Sequence, residues 1–286
     1  RNKGLEDRPT ALSFYWDEYR LNRYIKKYPK PYIALIDGIT MGGGCGLSVH
    51  GDFRVATERT VYAMPETGIG LFPDVGGSHF MPRCPGETGM YSALTGDRLK
   101  PADSVFLGIA TSYTPSEKLD DLLKVLSKSD LKDNKTIAGI LDDFNEDPGL
   151  SEVEKLQGQI DVVFREDSVE GIIEKLKLNG SEWAQKTLKT LSVKSPTSVK
   201  LTFQEMRRGA EKDIDECLKM EYRMVTNVMD GHDFYEGVRA VIVDKDNEPN
   251  WDPADLEAVS DDEIDKYFDS LGDKDLHFDG EPGERA

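Results

Sequence analysis

Two isolated carboxylates stand in a stretch of chain that has few other polar side chains. Glu66 and Asp74 lie within residues 64–77, among apolar, glycine and proline residues. Such surroundings disfavour the charged form of a carboxylate and raise its pKa toward the range that is useful in acid–base catalysis. Because Asp74 also precedes a Val-Gly-Gly sequence, capping of a helix N-terminus is an equally good interpretation of that residue.

A second candidate for chemistry is the glycine run Gly42-Gly43-Gly44, within residues 37–48. Glycine lets the backbone approach a ligand closely. The first N–H groups of a helix have no intrahelical acceptor and lie at the positive end of its dipole. Such donors suit the oxyanion that develops when a thioester carbonyl is attacked. For an isolated glycine run, a tight turn with close helix packing is the favoured alternative.

The elements that position these residues follow from the spacing of apolar side chains. An amphipathic helix is predicted over residues 12–27, a buried strand over residues 32–36, and short strands over residues 53–56 and 61–63. After Pro73 the pattern is mostly helical. Helices are predicted from Pro101, over residues 116–126, over residues 168–178, from Ser195-Pro196, and over residues 211–229.

Composition varies along the chain and suggests three segments. Residues 1–126 form a catalytic core of the α/β class, and residues 127–154 form a polar, irregular connecting segment. Residues 155–286 form a helical C-terminal region with an acidic tail, since 16 acidic and four basic residues follow position 243. These boundaries rest on composition and on the change from short apolar runs to helical spacing.

The bulk composition narrows the classes of partner. The chain has 286 residues and a formal net charge of −18, which disfavours nucleic acid, because phosphate binding needs clustered lysine and arginine. No apolar run approaches the roughly 20 residues of a membrane span, so no membrane is expected. The three cysteines and four histidines show neither metal-ligand spacing nor a disulfide framework. No metal is expected, and the cysteines suit a reducing compartment.

The order of these features resembles the signature of the crotonase superfamily. A strand is followed by a Gly-Gly-Gly helix start and, about 22 residues later, by a Pro-Glu pair. That resemblance implies an α/β fold in which ββα units repeat as a spiral, followed here by a mostly helical C-terminal region. It also implies an acyl-CoA substrate, whose thioester oxygen is held between two backbone N–H groups, one of them at Gly43. Two further sequences match helical parts of the family and are interpreted as structural: Ser195-Pro196-Thr197-Ser198 and Met220-Glu221-Tyr222-Arg223. The Asp233-x-x-Glu-Gly sequence resembles a helix found late in crotonase chains.

Within the superfamily, the side chains resemble the 3-hydroxyisobutyryl-CoA hydrolase family. Hydratases carry a glutamate directly after Gly-Gly-Gly-Cys, where this chain has Gly46, and usually a glycine where it has Asp74. The hydrolase resemblance implies hydrolysis of 3-hydroxyisobutyryl-CoA in valine catabolism. It also implies a mitochondrial matrix location, with the peroxisome less expected, and no cofactor beyond the CoA of the substrate. Self-association stays open.

The same resemblance assigns roles to individual residues. Glu66, Asp74 and Gly43 are the catalytic residues, and Glu18 joins them in binding the substrate. Glu66 acts either as a general base on water or as a nucleophile, while Asp74 orients the 3-hydroxyl group or the water. Without the family, Glu18 is interpreted as a solvated acid on an amphipathic helix.

Two further functions remain open at this stage. One is an enoyl-CoA hydratase or isomerase, against which Gly46 and Asp74 argue. The other is a catalytically impaired form that binds CoA, because the Ala-Gly-Gly-Asp-type loop that supplies the second oxyanion donor in the superfamily does not occur ahead of Gly43. The sequence therefore predicts a chain without the N-terminal part of the fold. Loss of one such donor typically lowers the rate about 100- to 1,000-fold.

Overall fold

Short parallel strands form successive turns of a spiral in the first part of the chain. In the computed structural model, which describes residues 8–131 and 133–278, these strands are β1 (Ile33–Ile36), β2 (Ile39–Met41), β3 (Phe53–Ala56), β4 (Val61–Ala63) and β5 (Ser112–Tyr113). In one sheet β3 lies between β1 and β5, and in another β2 pairs with β4. Each strand thus lies beside the corresponding strand of the next turn, as expected for repeated ββα units.

The turns between strands are stacked like the strands themselves. Asp37 follows β1 directly, and its Oδ1 accepts a hydrogen bond from Thr57 Oγ1 at 2.7 Å. The amide of Val61 donates to the carbonyl of Gly38 at 3.1 Å. Polar groups in one layer of the spiral are therefore satisfied by the next layer, which keeps the register of the parallel strands.

Helices make up most of the remaining described chain. They are α1 (Arg8–Lys26), α2 (Gly43–Ser48), α3 (Gly77–Phe80), α4 (Thr88–Thr95), α5 (Pro101–Phe106), α6 (Leu119–Lys128), α7 (Asn134–Phe144), α8 (Glu152–Phe164), α9 (Val169–Asn179), α10 (Glu182–Leu191), α11 (Pro196–Gly209), α12 (Ile214–Val228), α13 (Asp233–Val238) and α14 (Asp261–Lys266). Short 3-10 turns cover Glu66–Ile69, Met81–Arg83, Ser116–Lys118, Leu256–Ala258 and Gly272–Lys274, and a π-helical turn covers Arg239–Val243. None of the described helices is both long and apolar enough to cross a membrane.

Local capping chemistry sets several of these helix ends. Ser195 caps α11 by accepting a hydrogen bond from Ser198 N at 3.1 Å, and Pro196 occupies the first turn, where its missing N–H is harmless. Gly180 ends α9 in the left-handed conformation, with φ 64°, which glycine adopts without strain. The predicted start of α11 and the predicted end of α9 are confirmed.

Residues 127–154 are not irregular throughout, so that expectation is wrong. They contain α7, whose Asp133 cap accepts a hydrogen bond from Thr136 N at 2.8 Å. Ile137 and Leu141 are buried in a small apolar cluster with Leu122. Two apolar residues four positions apart are enough to bury one helix face, although polar neighbours dominate the composition. The division into residues 1–126, 127–154 and 155–286 itself stays a prediction.

The larger apolar cluster joins distant parts of the chain. It includes Tyr19 of α1, Phe72 after the Glu66–Ile69 turn, Phe164 of α8 and Met224 of α12, all almost fully buried. The predicted catalytic core and the helical C-terminal region therefore share one core. As a result, helices from late in the sequence reach the segment that carries Glu66 and Asp74. The cysteines Cys45, Cys84 and Cys217 are buried and free.

Candidate active site

Glu66 is buried at the beginning of the 3-10 turn Glu66–Ile69, shortly after β4. Its side chain is 4% exposed, and its Oε2 has no hydrogen-bond partner among the described residues. Burial raises the pKa of this carboxyl to about 8, although its own backbone amide and the charge of Lys194 act in the opposite direction. A carboxyl group with this pKa can take up and release a proton near neutral pH, as general base catalysis requires.

Two later segments support the 3-10 turn Glu66–Ile69. A side chain at Gly237 would meet the backbone of this turn at 2.3 Å, so only glycine allows α13 to lie so close. The amide of Ser195 donates to Thr67 O at 3.2 Å, and Ser195 Oγ donates to Asp233 Oδ2 at 2.5 Å. The Ser-Pro and Asp-x-x-Glu-Gly motifs therefore hold the turn in place.

Asp74 is buried and bonded to the first helix. It is 5% exposed, and its Oδ2 accepts a hydrogen bond from Tyr19 Oη at 3.1 Å. Burial and the neighbouring charges of Glu66 and Glu221 raise the pKa of Asp74 well above its ordinary value, which favours the protonated form of the carboxyl. The capping interpretation is wrong, because α3 begins after Gly76 and has no side-chain cap.

The backbone after Asp74 has an unusual conformation that a buried carboxylate holds in place. Val75 has φ 52°, a left-handed conformation that is rare for a β-branched residue and signals strain. Glu221 Oε2 accepts a hydrogen bond from Gly76 N at 2.8 Å. Its Oε1 accepts from Ser78 N at 3.1 Å and from Ser78 Oγ at 2.6 Å. Three donors thus fix the loop to α12.

His50 supports the same loop from the other side. Its Nε2 lies 2.7 Å from Val75 O. Burial lowers the pKa of His50 to about 4, so the ring is neutral near pH 7. Because a carbonyl oxygen only accepts, Nε2 must carry the ring proton and donate it. His50 therefore has a structural role in this loop.

Glu18 and Gly43 meet at the beginning of α2. Glu18 Oε1 is 2.8 Å from the point where a Cβ of Gly43 would lie, so any side chain at this position would displace the carboxylate. Burial raises the pKa of Glu18, and the interpretation of Glu18 as a solvated acid is wrong. The N–H of Gly43 lies in the first helical turn, where no intrahelical acceptor exists.

The predicted carboxylates therefore belong to one site. The charges of both Glu66 and Glu18 raise the pKa of Asp74, which requires them to lie near it. Sequence reasoning missed Tyr19 as the partner of Asp74, and it read Glu221 only as part of a helix. The catalytic and substrate-binding roles themselves stay predictions.

A further acid, Glu205 of α11, lies deeper in the same region. It is fully buried, and neither of its carboxylate oxygens has a partner among the described residues. Burial raises its pKa well above the ordinary value, and the charge of Glu221 adds to the effect. One signal was available for Glu205 and Glu221, since each is an acid within the apolar stripe of its helix.

Gly46 has a structural reason to lack a side chain. A Cβ there would lie 2.5 Å from Asn22 Nδ2 and 2.8 Å from Val75 Cβ. Both distances are shorter than ordinary contacts. A glutamate, which hydratases carry at this position according to the sequence resemblance, does not fit between α1 and the loop after Asp74. Within the part of the chain that the structure describes, no cluster of His, Cys, Asp and Glu could hold a metal ion.

Comparisons with known proteins agree with this geometry. The family model described as enoyl-CoA hydratase/isomerase matches residues 1–268. The mitochondrial 3-hydroxyisobutyryl-CoA hydrolase of Danio rerio is 52% identical over 92% of this chain and 70% of its own length. The Homo sapiens protein of the same name is 48% identical over 94% of this chain and 71% of its own length.

Solved structures show the same fold. A carnitinyl-CoA dehydratase from Mycobacterium thermoresistibile superposes with a TM-score of 0.90, 36% identity and coverage of 98% of this chain and 79% of that chain. An enoyl-CoA hydratase from Rhodobacter sphaeroides superposes with a TM-score of 0.89 and 35% identity, covering 97% of this chain and 80% of that chain. The fold and the superfamily predicted from the sequence are confirmed, and the chain belongs to the enoyl-CoA hydratase/isomerase family.

Proposed function

We propose that this chain hydrolyses 3-hydroxyisobutyryl-CoA to 3-hydroxyisobutyrate and CoA. Several relatives carry this activity in their names, and about half of the aligned residues are identical over more than nine-tenths of this chain. One observation within the site carries the proposal further: Glu66 and Asp74 are both buried, and the charge of Glu66 acts on Asp74. Two neighbouring carboxyl groups in different environments can serve as base and acid in one reaction.

The reaction begins with the thioester carbonyl placed against the N–H of Gly43. As water attacks the carbonyl carbon, its proton passes to the carboxylate of Glu66. The negative charge that develops on the carbonyl oxygen is stabilised by the backbone donor and the helix dipole. Glu66 is suited to this step because its raised pKa of about 8 makes it a stronger base than an exposed carboxylate.

Collapse of the tetrahedral intermediate breaks the carbon–sulfur bond and releases the CoA sulfur. Asp74, whose protonated form is favoured by burial and by the neighbouring carboxylates, protonates the sulfur. The proton on Glu66 then restores Asp74 through solvent or directly. Water is consumed and both protons are accounted for, since one is found on the thiol and the other on the new carboxylic acid.

Glu66 could instead attack the carbonyl carbon itself and form an anhydride, which water then cleaves. A single turnover in ¹⁸O-labelled water detects the anhydride route if water cleaves the anhydride at the Glu66 carbonyl. Direct attack by water leaves the Glu66 carboxylate unlabelled. Attack by Glu66, followed by cleavage of the anhydride at the enzyme carbonyl, places ¹⁸O in its side chain, and a peptide mass spectrum detects it.

Hydration of an enoyl-CoA is the second candidate, favoured by the names of the two solved structures above. Gly46 argues against it, since Val75 Cβ lies 2.8 Å from the point where a Cβ would lie. A second carboxylate therefore has no room at this position. Hydrolysis also agrees with the relatives of higher identity.

Release of the CoA thiol from 3-hydroxyisobutyryl-CoA tests the proposal. We expect Glu66→Gln to lower kcat by about 100-fold or more, the usual contribution of a general base. Glu117→Gln is the control, because Glu117 is exposed and lies outside the site. A Glu66→Gln enzyme that keeps a tenth of wild-type turnover, or a wild type that hydrates crotonyl-CoA faster than it releases thiol, contradicts the proposal.

The setting of the activity follows from the same relatives. Their names place them in the mitochondrion, and we propose that location and a role in valine catabolism for this chain. The reaction needs only water and the thioester, so no cofactor is proposed beyond the CoA of the substrate. Self-association stays a prediction, and size-exclusion chromatography with light scattering tests it.

A further inference from the structure

Asn22 has a buried side-chain amide without a partner. Its exposed fraction is 1%, and neither Nδ2 nor Oδ1 has a hydrogen-bond partner among the residues that the structure describes. An unpaired amide in the protein interior destabilises the fold. Native proteins rarely contain such groups without a functional reason. Fold stability alone therefore does not account for an asparagine at this position.

The position of Asn22 connects it to the substrate-binding end of the site. It lies one helical turn after Glu18 on α1, and thus on the same face. Its Nδ2 is 2.5 Å from the point where a Cβ of Gly46 would lie, and Glu18 Oε1 is 2.8 Å from the matching point at Gly43. α1 therefore places one polar side chain against each of two successive turns of α2. Val75 Cβ is 2.8 Å from the same Cβ position of Gly46.

The spacing fits a short acyl chain with a hydroxyl group. Gly43 and Gly46 are separated by almost one helical turn, roughly 4.5 Å along the axis. If the thioester oxygen lies at Gly43, the three bonds from the carbonyl carbon to the 3-hydroxyl oxygen cover most of this distance, toward Gly46 and the Asn22 amide beside it. An amide both donates and accepts hydrogen bonds, and so does a hydroxyl group. The hydroxyl thus satisfies both polar functions of an amide that has no protein partner.

We propose that Asn22 binds the 3-hydroxyl group of the acyl chain and selects hydroxylated thioesters over their unsubstituted analogues. This inference rests on the hydrolase function proposed above and extends it to a specificity residue. A site built to pair a substrate hydroxyl group discriminates strongly against the analogue that lacks it, because the buried polar group is then left unpaired.

Binding to an enzyme that cannot turn over the substrate tests this assignment. In a Glu66→Gln background, calorimetry gives the dissociation constants of 3-hydroxyisobutyryl-CoA and isobutyryl-CoA. We expect the hydroxylated thioester to bind about tenfold more tightly or better, the effect of one or two hydrogen bonds. Adding Asn22→Leu, which has a similar branched shape and no polar atoms, is expected to reduce that ratio at least fivefold.

Two further variants make the result decisive. Asn22→Ala removes the amide without adding volume and is measured in parallel, in case leucine disturbs the packing beside Gly46. Asn134→Leu is the matched control, because it makes the same substitution at an exposed position of α7 and is expected to keep the ratio.

The ratio of the two dissociation constants decides the assignment. The assignment is overturned if the ratio in both Asn22 variants stays within twofold of the ratio in the Glu66→Gln enzyme. This holds even when both thioesters bind more weakly, since an equal loss of affinity indicates a bound water or a packing role. The assignment is also overturned if the Glu66→Gln enzyme binds the two thioesters equally well. Failure of the proposed function is distinguishable, because a wild type that binds both thioesters with the expected preference and releases no thiol contradicts hydrolysis alone.

Discussion

Replacing Gly46 by alanine perturbs the contact between α2, α1 and the loop after Asp74. A Cβ at this position would lie 2.8 Å from Val75 Cβ and 2.5 Å from Asn22 Nδ2, whereas carbon atoms in contact are ordinarily about 3.5–4.0 Å apart. Val75 Cβ is attached directly to the backbone and cannot move by side-chain rotation. The next residue in the loop is held by a hydrogen bond to Glu221, so the overlap must be relieved by a shift of α2 or of the loop.

Gly44→Ala is the matched control, because Gly44 lies in the same helix and is exposed. A Cβ there would meet Thr40 Cγ2 at an ordinary 3.7 Å. In both variants alanine gains about 0.5–1 kcal/mol over glycine inside a helix, so this gain cancels in the comparison. Only Gly46→Ala suffers overpacking, which typically costs about 1–3 kcal/mol. We therefore expect Gly46→Ala to be less stable than Gly44→Ala by about 1–3 kcal/mol.

Urea unfolding at constant m-value measures this difference, and thermal unfolding provides a second readout, with roughly 2–4 °C expected for each kcal/mol in a large domain. Because the displaced loop follows Asp74 directly, thiol release from 3-hydroxyisobutyryl-CoA is also expected to fall in Gly46→Ala and to persist in Gly44→Ala. Equal stability of the two variants, with undiminished turnover in both, would refute the packing argument at Gly46 and the structural reason for excluding glutamate.

Three further predictions concern the buried acids. The pKa of Glu66 is raised from 4.5 to about 8 in the folded state. The contribution of this group to stability is therefore complete below pH 4.5 and is lost as the pH rises toward 8. Across this pH range, the melting temperature of the wild type should fall relative to that of Glu66→Gln. Since catalysis needs ionised Glu66, kcat/KM should rise with pH and level off above about pH 8, and a flat profile from pH 6 to 9 contradicts this. Glu221→Ala, which removes three hydrogen bonds to the loop after Asp74, should lower both kcat and melting temperature; Glu211→Ala, an exposed change near the start of the same helix, should change neither.

Local signals in the sequence were sufficient for much of the fold. The strands predicted over residues 53–56 and 61–63 are found with the same bounds, as β3 and β4. The Ser-Pro sequence and the Asn-Gly sequence mark a helix start and a helix end because each residue type satisfies a specific backbone requirement at that point. The glycine run and the paired carboxylates were also visible, since apolar surroundings make a lone acid conspicuous.

Contacts between distant segments were not visible in the same way. Glu221 accepts a hydrogen bond from Gly76 across 145 positions of sequence, and Tyr19 donates to Asp74 across 55 positions. No periodicity or motif encodes such a pairing, because it depends on how the helices fold back onto the spiral. The half-buried position of Glu18 was obscured for a similar reason. An acid on an amphipathic helix looks solvated until the glycine that faces it is known.

Burial raises the pKa of all four deeply buried acids, and the hydrogen-bond donors and charges around each one differ. Glu221 accepts three hydrogen bonds, which favour its charged form, and its pKa is raised only to about 7. Glu66 has the charge of Lys194 nearby and a pKa of about 8. Asp74 has one donor and Glu205 has none among the described residues, and both pKa values lie well above the ordinary range. The proposed base, Glu66, thus lies near a lysine charge that favours its ionised form. The proposed acid, Asp74, lies near carboxylates that disfavour ionisation, the largest such effect coming from Glu66.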